Sequence, residues 1–296
     1  MSRATIQRRQ RAEQLAATLP PLLVAAERVA STVAQGVHGR RRVGQGETFW
    51  QFRPYAQGDR PIAIDWRQSA KSDRVFVRQT EWEAAQSVWI WRDGSASMDW
   101  HSRDDLPTKR ERADLLALAL AALLIRSGEH VAWLGTGVRP ATGRAALGRL
   151  ALQIEHGLDI GDDVPPVVPV PRHGHIVLIG DFLAPLDVIE ATVRGYAEAG
   201  CRGFVLQILD RAEETLPYQG RVRFEGLEGE EPWLLSRVET VRSDYIARLN
   251  AQRAGVRALA RAMSWPYSCH RTDEPPQAAL LMIYAALSDT MRRHRR

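Results

Sequence analysis

The chain has 296 residues and a mass of 33.2 kDa, and 45% of its residues are hydrophobic. This composition excludes a disordered chain and predicts one sizeable core, with room for an accessory segment. The longest uncharged apolar run, Leu115 to Ile125, is too short to span a bilayer and predicts a buried core helix. The net charge of +5 comes almost entirely from arginine, since Lys71 and Lys109 are the only lysines.

The N-terminal sequence, the cysteines and the runs of charge indicate the cellular compartment and the possible partners. No signal peptide is recognisable, because prolines and charged residues interrupt the N-terminal apolar stretch, so we expect a cytoplasmic protein. Cys201 and Cys269 lie in separate strand-like runs without metal-ligand spacing and are expected to be buried, reduced thiols. Arginine runs at 40–42 and 292–296 leave binding to nucleic acid or an anionic membrane open, although terminal charge runs are more often only solvated.

The chain divides into four segments by composition. Residues 1–35 are Ala-rich and predict helix, interrupted at Pro20-Pro21. Residues 36–85 are dense in Gly, Arg and Trp and predict short strands joined by turns. In residues 86–290 apolar strands alternate with helices, which predicts an α/β fold with a mostly parallel sheet flanked by helices. Residues 291–296 form a basic tail.

The predicted elements are short enough to place individually. Strand candidates in the second segment are 49–52 and 75–77. In the α/β segment the expected strands are 87–92, 130–135, 175–180, 203–209 and 266–270. The expected helices are 109–127, 144–156, 185–199, 241–263 and 275–288. A Pro-rich loop at 157–172 and an irregular stretch at 211–238, with a hairpin around Gly226 to Gly229, complete the pattern.

The motif Asp93-Gly94-Ser95-Ala96-Ser97 follows the apolar run Val88 to Trp91 and is the most informative feature of the chain. A strand that ends in a tight loop directs one carboxylate and two hydroxyls toward one point. Such hard oxygen ligands suit Mg²⁺ or Mn²⁺. The pattern therefore predicts a divalent metal site at Asp93, Ser95 and Ser97. A hydroxyl-rich turn that caps the following helix is the alternative.

Two further candidate ligands come from the predicted order of strands. Asp181 follows the apolar run at 176–180, so it stands at the carboxyl end of a parallel strand, on the same sheet edge as Asp93. Open α/β sheets bind ligands at that edge. Thr142 lies in a loop just before a predicted helix and could reach the same point. The alternatives are that Thr142 is a helix N-cap and that Asp181 caps the helix that follows it.

Together, these five residues resemble the metal-ion-dependent adhesion site of von Willebrand factor A-type domains. The segment before them is similar to the signature of a bacterial family, domain of unknown function 58, which joins such a segment to a von Willebrand A-like domain. The resemblance covers roughly residues 36 to 288. Its upstream matches are Gly44-Gln45-Gly46-Glu47-Thr48-Phe49, Arg53-Pro54-Tyr55, Gly58-Asp59, Ile64-Asp65-Trp66, Ser69-Ala70, Val77-Arg78 and Glu81 or Glu83.

The resemblance implies a Rossmann-like fold and a non-enzymatic, metal-dependent protein-binding module. Relatives are often paired with MoxR-type AAA+ ATPases, which implies an adaptor in a chaperone-like assembly. Carried over, Ser95 and Ser97 ligate Mg²⁺ directly, Thr142 directly or through water, and Asp93 and Asp181 mainly through bridging waters. Because this ligand shell is mostly neutral, the cation stays electron-poor. The ATPase or a client protein then completes the octahedron with a Glu or Asp.

The chain departs from the family pattern in three places. Arg92 stands directly before Asp93, where an apolar residue is commoner. A guanidinium pointing into the site opposes a cation, whereas strand alternation turns it to the other face of the sheet. The turn reads Gly58-Asp59-Arg60, where relatives usually show a second acid, and Ala63 replaces an expected Arg. These last two changes put a role for the turn in doubt and leave the metal motif intact.

Enzyme motifs give little support to a catalytic function. The chain has no Gly-x-Ser-x-Gly elbow, no Gly-x-x-x-x-Gly-Lys phosphate loop and no His-Glu-x-x-His. The competing hypothesis is a Mg²⁺-dependent phosphohydrolase built on the same sheet edge. That chemistry needs a nucleophilic Asp and a Lys near the phosphate, and the sequence predicts both lysines to be badly placed for it.

Overall fold

The structure, a computed structural model, describes residues 21–38, 49–56, 64–71, 74–80, 85–158, 163–227 and 231–293. The chain divides into two units: Met1–Ala34 with Gln86–Arg296, and the shorter Gln35–Ala85. Some residues used above lie outside the described ranges: the N-terminal arginines, residues 40–48 and 58–63, Glu81, Glu83, Gly229 and the last three residues, together with the side chains of Arg292 and Arg293.

The first described helix, α1 (Pro21–His38), begins at the proline pair that was expected to interrupt the N-terminal helix. Proline is tolerated in the first turn of a helix, where its missing N–H has no intrahelical partner. Leu23, Ala26 and Ala30 on one face of α1 are buried. The apolar face of α1 thus contributes to the core of the larger unit.

The shorter unit contains the two predicted strands, β1 (Phe49–Pro54) and β2 (Phe76–Thr80), with the one-turn helix α2 (Trp66–Ser69) between them. The two strands pair antiparallel. Asp65 caps α2, because its side-chain oxygen accepts a hydrogen bond from the Gln68 N–H at 2.8 Å. Short strands joined by a capped turn are what the Gly- and Arg-rich composition indicates.

The larger unit continues from residue 86 with strands and helices in alternation. In chain order they are β3 (Ser87–Arg92), α3 (Lys109–Arg126), β4 (His130–Trp133), α4 (Arg144–Glu155), β5 (His175–Gly180), α5 (Leu186–Glu198), β6 (Arg202–Leu209), α6 (Arg211–Thr215), β7 (Val222–Phe224), β8 (Trp233–Leu235), α7 (Arg242–Ala262), β9 (Tyr267–Arg271) and α8 (Pro276–Arg293).

Five of these strands form one parallel sheet in the order β4-β3-β5-β6-β9. The predicted α/β fold, with a parallel sheet flanked by helices, is confirmed at this level. Every residue of β5 is buried, as expected for a central parallel strand that is covered on both faces. Helix α3 is the buried core helix predicted from its apolar run, and Leu116, Leu118 and Leu120 have no exposed surface.

Two elements differ from the prediction. The stretch after β6 was expected to be irregular, but it begins with α6, a one-turn helix too short to show helical periodicity. Helix α8 runs to Arg293, five residues past its predicted end at 288. The predicted hairpin is present as the antiparallel pair β7 and β8. Among the described residues, no helix combines the length and apolar character needed to cross a membrane.

Candidate binding site at the carboxyl edge of the sheet

Asp93 and Asp181 follow two strands that are neighbours in the sheet. Strands β3 and β5 pair in parallel, with Arg92 opposite Ile179, and the Asp93 N–H donates to the Ile179 carbonyl at 2.8 Å. The two carboxylates therefore leave the same edge of the sheet side by side. The loop after β3 adds two hydroxyls, so four of the five residues predicted from sequence come together at this edge.

A continuous chain of short contacts joins these four side chains. Asp93 Oδ1 accepts from the Ser95 hydroxyl at 2.6 Å and from the Ser95 N–H at 2.9 Å. The Ser95 and Ser97 hydroxyl oxygens are 2.9 Å apart, and Ser97 Oγ donates to Asp181 Oδ2 at 2.7 Å. The loop is thus held by side-chain hydrogen bonds that run from one strand end to the next.

Asp93 is buried beside a second carboxylate, and this environment affects its ionisation. Burial, together with the negative charge of Asp181, raises the pKa of Asp93 to about 7. Protonation of Asp93 removes one negative charge from a side chain with no exposed surface. Its second oxygen, Oδ2, has no hydrogen-bond partner among the described residues.

The structure does not bring Thr142 to this cluster. After β4 the chain turns back, and Ala141 pairs antiparallel with Val131, so Thr142 runs on toward the amino end of β4. Since His130 is in register with Ser87 and a strand rises by about 3.3 Å per residue, Thr142 lies about 20 Å along the sheet from Asp93. Thr142 is exposed.

The capping alternatives for these residues are also not what the structure shows. Helix α4 has Gly143 as its N-cap, helix α5 has Pro185, and neither cap makes a side-chain hydrogen bond. Helix α3 is capped by Thr108, whose side chain forms a reciprocal capping box with Glu111. Thr142, Asp181 and the serines of the loop are therefore not needed to start these helices.

Sequence reasoning missed two members of the site, Lys109 and Glu213. Lys109 Nζ donates to Asp181 Oδ2 at 2.8 Å and to Glu213 Oε1 at 2.6 Å, and the lysine side chain is 1% exposed. The expectation that both lysines are badly placed for this edge is thus wrong for Lys109. The reason is topological, because the loop that follows Ser97 returns the start of α3 to the same edge.

Both missed residues carry a signal in the sequence. Lys109 is the first residue of α3, where the helix dipole disfavours a positive charge, so a lysine there needs a negative partner. Glu213 belongs to a capping box with Asp210 directly after β6, at the same sheet edge. Burial alone would lower the pKa of Lys109, but the charges of Glu213 and Asp181 outweigh it and raise that pKa above its usual range.

Two arginines hold the loop from the side of α3. Arg110 Nη2 donates to the carbonyls of Gly94 and Ser95, at 3.1 and 3.0 Å. Arg92 is buried and pairs with Asp114 on α3, with Arg92 Nε 2.7 Å from Asp114 Oδ1. Arg92 Nη1 also donates to the Asp93 carbonyl at 3.2 Å, so the Arg92 guanidinium joins helix α3 to the start of the loop.

The backbone after Asp181 is held in an uncommon conformation. Phe182 has a φ of 52°, in the left-handed region that side-chain-bearing residues seldom adopt. Gln252 on α7 fixes this turn, because its Nε2 donates to the carbonyls of Phe182 and Ala184 at 2.9 and 2.7 Å. Gln207 donates to the Asp181 carbonyl at 2.7 Å. Several elements thus set the position of the Asp181 carboxylate.

A cleft of about 850 Å³ opens over the cluster. Ser97, Lys109, Asp181 and Glu213 lie at its base. Its walls are largely apolar and aromatic, and two leucines on them, Leu183 and Leu227, are exposed. The aromatic residues of the walls are Trp100, Tyr218, Phe224 and Tyr245.

The donor set does not fit a resident divalent cation beside Lys109. Asp181 Oδ2 already accepts from both Ser97 and the ammonium, and Thr142 is not available as a ligand. A divalent ion bound to Asp181 would lie close to this ammonium, and the two positive charges would repel each other.

The chain is similar to proteins of two mycobacteria and, weakly, to one solved structure. An uncharacterized protein of Mycobacterium tuberculosis (strain ATCC 25618 / H37Rv) and one of Mycobacterium bovis (strain ATCC BAA-935 / AF2122/97) are each 26% identical over 288 residues. The alignments cover 92% of this chain and 90% of each relative. A solved structure, conserved hypothetical protein BatB from Bacteroides thetaiotaomicron, aligns with a TM-score of 0.35 and 15% identity, over 70% of this chain and 100% of that one.

A protein-family model matches much of the chain, beginning within the upstream segment at residue 51. The model of the family described as Protein of unknown function DUF58 matches residues 51–255, well over half of the chain. The match includes the loop after β3, Lys109, Asp181 and Glu213. The chain therefore belongs to the DUF58 family.

Proposed function

We propose that this protein is a non-enzymatic, von Willebrand A-like module that binds another protein at the carboxyl edge of its sheet. The observation that carries the proposal is the cleft over Ser97 and Asp181. Its base is a buried polar cluster fixed by several elements, and its walls expose apolar surface at Leu183 and Leu227. Exposed apolar side chains grouped beside a cleft favour a contact surface for another protein.

The partner we propose is a MoxR-type AAA+ ATPase, or a client protein bound with it. This part rests on the resemblance to the DUF58 family, whose members are often paired with such ATPases. An adaptor would need a surface that does not change shape on binding. The hydrogen-bonded loop, the ion pairs of Lys109 and the Gln252 clamp on the turn at Phe182 support that role.

The competing function, a phosphohydrolase, is favoured by two observations. Lys109 lies at the site, and the pKa of Asp93 is raised by burial and by Asp181 to about 7, a value useful in acid–base chemistry. Against it, Asp93 has no exposed surface, so a substrate cannot reach it as a nucleophile. Hydrolysis of aryl phosphates that disappears in Asp93→Ala would support the enzyme, and we expect no activity above that variant.

The binding proposal is tested with a matched pair of surface variants. Leu227 in the cleft wall is 47% exposed, and Leu152 on α4, away from the cleft, is 46% exposed. The purified protein is titrated with the MoxR-type ATPase encoded by the same organism. Leu227→Asp should weaken binding by about tenfold or more, since it places a charge in a desolvated interface, while Leu152→Asp should not. Equal affinities for the two variants would reject this edge as the binding surface.

A further inference from the structure

Lys109 supplies a fixed positive charge where the sequence predicted a metal ion. Its ammonium is held between Asp181 and Glu213, at 2.8 and 2.6 Å, and its side chain is almost fully buried. Asp181 is the acceptor it shares with Ser97. The ammonium therefore contacts the same carboxylate oxygen that ends the hydrogen-bonded chain from Asp93.

We propose that the Lys109 ammonium takes the place of the divalent cation in this site, so that the loop of Asp93, Ser95 and Ser97 is organised without metal. A cation is needed there because Asp181 is buried and Glu213 is only 14% exposed at the same sheet edge, and carboxylates withdrawn from water must be paired. A lysine on the flanking helix meets this need within the chain. The inference concerns the site of the proposed function and, for its consequences for a partner, rests on that proposal.

The contacts around the ammonium explain why it excludes a second cation. The serine hydroxyls that would bind Mg²⁺ already form short contacts with the two aspartates and with each other. The third predicted hydroxyl, Thr142, lies beside the amino end of β4, at the edge of the sheet opposite to the cluster. A metal would have to displace Lys109 from Asp181 and open this chain of hydrogen bonds.

The substitution changes the kind of partner group that fits the cleft. An acidic partner group was expected only because an electron-poor metal ion would attract it. The charged residues lining the cleft are four acids and two bases, Asp163, Asp181, Glu213, Glu225, Lys109 and Arg223. Lys109 already bonds to two carboxylates, so the cleft presents an excess of negative charge, and a basic partner group is the better match.

Calorimetric titration of the full chain with Mn²⁺ tests the proposal without any partner. Wild type should show no binding at millimolar Mn²⁺. The double variant Lys109→Met with Glu213→Gln removes one cation and one anion together, which limits the charge imbalance. Its affinity for Mn²⁺ should exceed that of wild type by about tenfold or more. Glu213→Gln alone and Lys71→Met, at the other lysine, both retain the ammonium and should behave as wild type.

Mn²⁺ binding by wild type that is unchanged or weakened when Lys109 is removed would overturn the proposal. So would a folded double variant that binds no Mn²⁺. If the double variant fails to fold, ¹⁵N detection of the lysine ammonium groups in wild type provides the test. The Lys109 signal is assigned by comparison with Lys71→Met, in which Lys109 is the only lysine. A Lys109 signal unmoved by Mg²⁺ supports the proposal, and a displaced signal rejects it. Either failure leaves the partner-binding proposal intact, because no partner takes part.

Discussion

At the scale of single residues, the stability of the site depends on the ammonium group of Lys109. It neutralises two carboxylates that are themselves poorly exposed, Asp181 and Glu213. Removing one member of a buried ion pair leaves an uncompensated charge, which costs about 3 to 5 kcal/mol. By contrast, removing opposite charges together is far less harmful, because no charge remains unpaired.

We therefore expect Lys109→Met to lower the free energy of unfolding by about 3 to 5 kcal/mol in urea denaturation. Adding Glu213→Gln should recover part of this loss. Lys71→Met is the control, since Lys71 is exposed, and should stay within about 0.5 kcal/mol of wild type. A loss for Lys109→Met as small as that for Lys71→Met would show that the ammonium is not buried between the acids.

Asp93 should make the stability of the protein fall as pH rises. Burial and Asp181 raise its pKa from 3.8 to about 7 in the folded chain. The folded state therefore binds the proton more tightly than the unfolded state, and the contribution to stability is full below pH 3.8 and is lost progressively toward pH 7. One pH unit between the folded and unfolded pKa corresponds to about 1.4 kcal/mol.

Urea unfolding at pH 5 and at pH 8 measures this effect. Asp93→Asn cannot ionise, so its stability should fall less over this interval than that of wild type. Asp105→Asn, at an exposed carboxylate in the loop between β3 and α3, should keep the wild-type pH dependence. If Asp93→Asn and wild type change in parallel, Asp93 is ionised throughout this interval and its pKa is not raised.

Sequence could place most of the ligand cluster but not its counter-ion. Asp93, Ser95 and Ser97 are contiguous, and Asp181 ends a run of apolar residues, so each is readable from its own neighbourhood. Lys109 and Glu213 reach the cluster only through the folded path of the chain, because the loop after β3 and the turn after β6 both return to one edge. Long-range contacts of this kind have no local pattern.

At the scale of elements, close packing of β5 against the loop determines where Asp93 can lie. A methyl group added at Gly180 would meet Asp93 Cβ and Oδ2 at 2.8 Å, inside normal contact distance. Gly195, on the exposed face of α5, has nothing within 4 Å of the same added atom. Packing therefore requires glycine at position 180 but not at position 195, and Gly195 can serve as the control.

Gly180→Ala should lower the free energy of unfolding by about 1 to 3 kcal/mol, since an added methyl forces the Asp93 carboxylate to move. Gly195→Ala should raise it by about 0.5 to 1 kcal/mol, because alanine is the better helix former. Thermal and urea unfolding of both variants measure the signs. Gly180→Ala as stable as wild type would mean that the Asp93 side chain has room to shift.

Elements with a strong pattern were the ones that could be predicted. The alternation of apolar strands with helices predicted the parallel sheet, because its central strands β5 and β6 are almost continuously buried runs. The one-turn helix α6 has too few residues for a period, and only its capping box marks it. Thr142 was misplaced for a related reason, since the turn after β4 at Gly135 and Gly137 reverses the chain and nothing local shows how far it returns.

At the scale of the whole molecule, the parallel sheet brings residues from distant parts of the chain to one edge. Asp93 follows β3, Asp181 follows β5, and Glu213 follows β6, while helix α3 contributes Lys109. The carboxyl edge of a parallel sheet is where such loops meet, and it is the usual place for a binding site. This topology and the apolar surface of the cleft are the features that support the proposed function.

A crystal soaked in Mn²⁺, with anomalous scattering measured at the manganese edge, tests the account most directly. The central claim is that Lys109 supplies the cation at the carboxyl edge. We predict that the map shows Lys109 Nζ between Asp181 and Glu213 and no manganese peak near the hydroxyls of Ser95 and Ser97. A manganese peak on those hydroxyls, with Lys109 displaced from Asp181, would contradict the account.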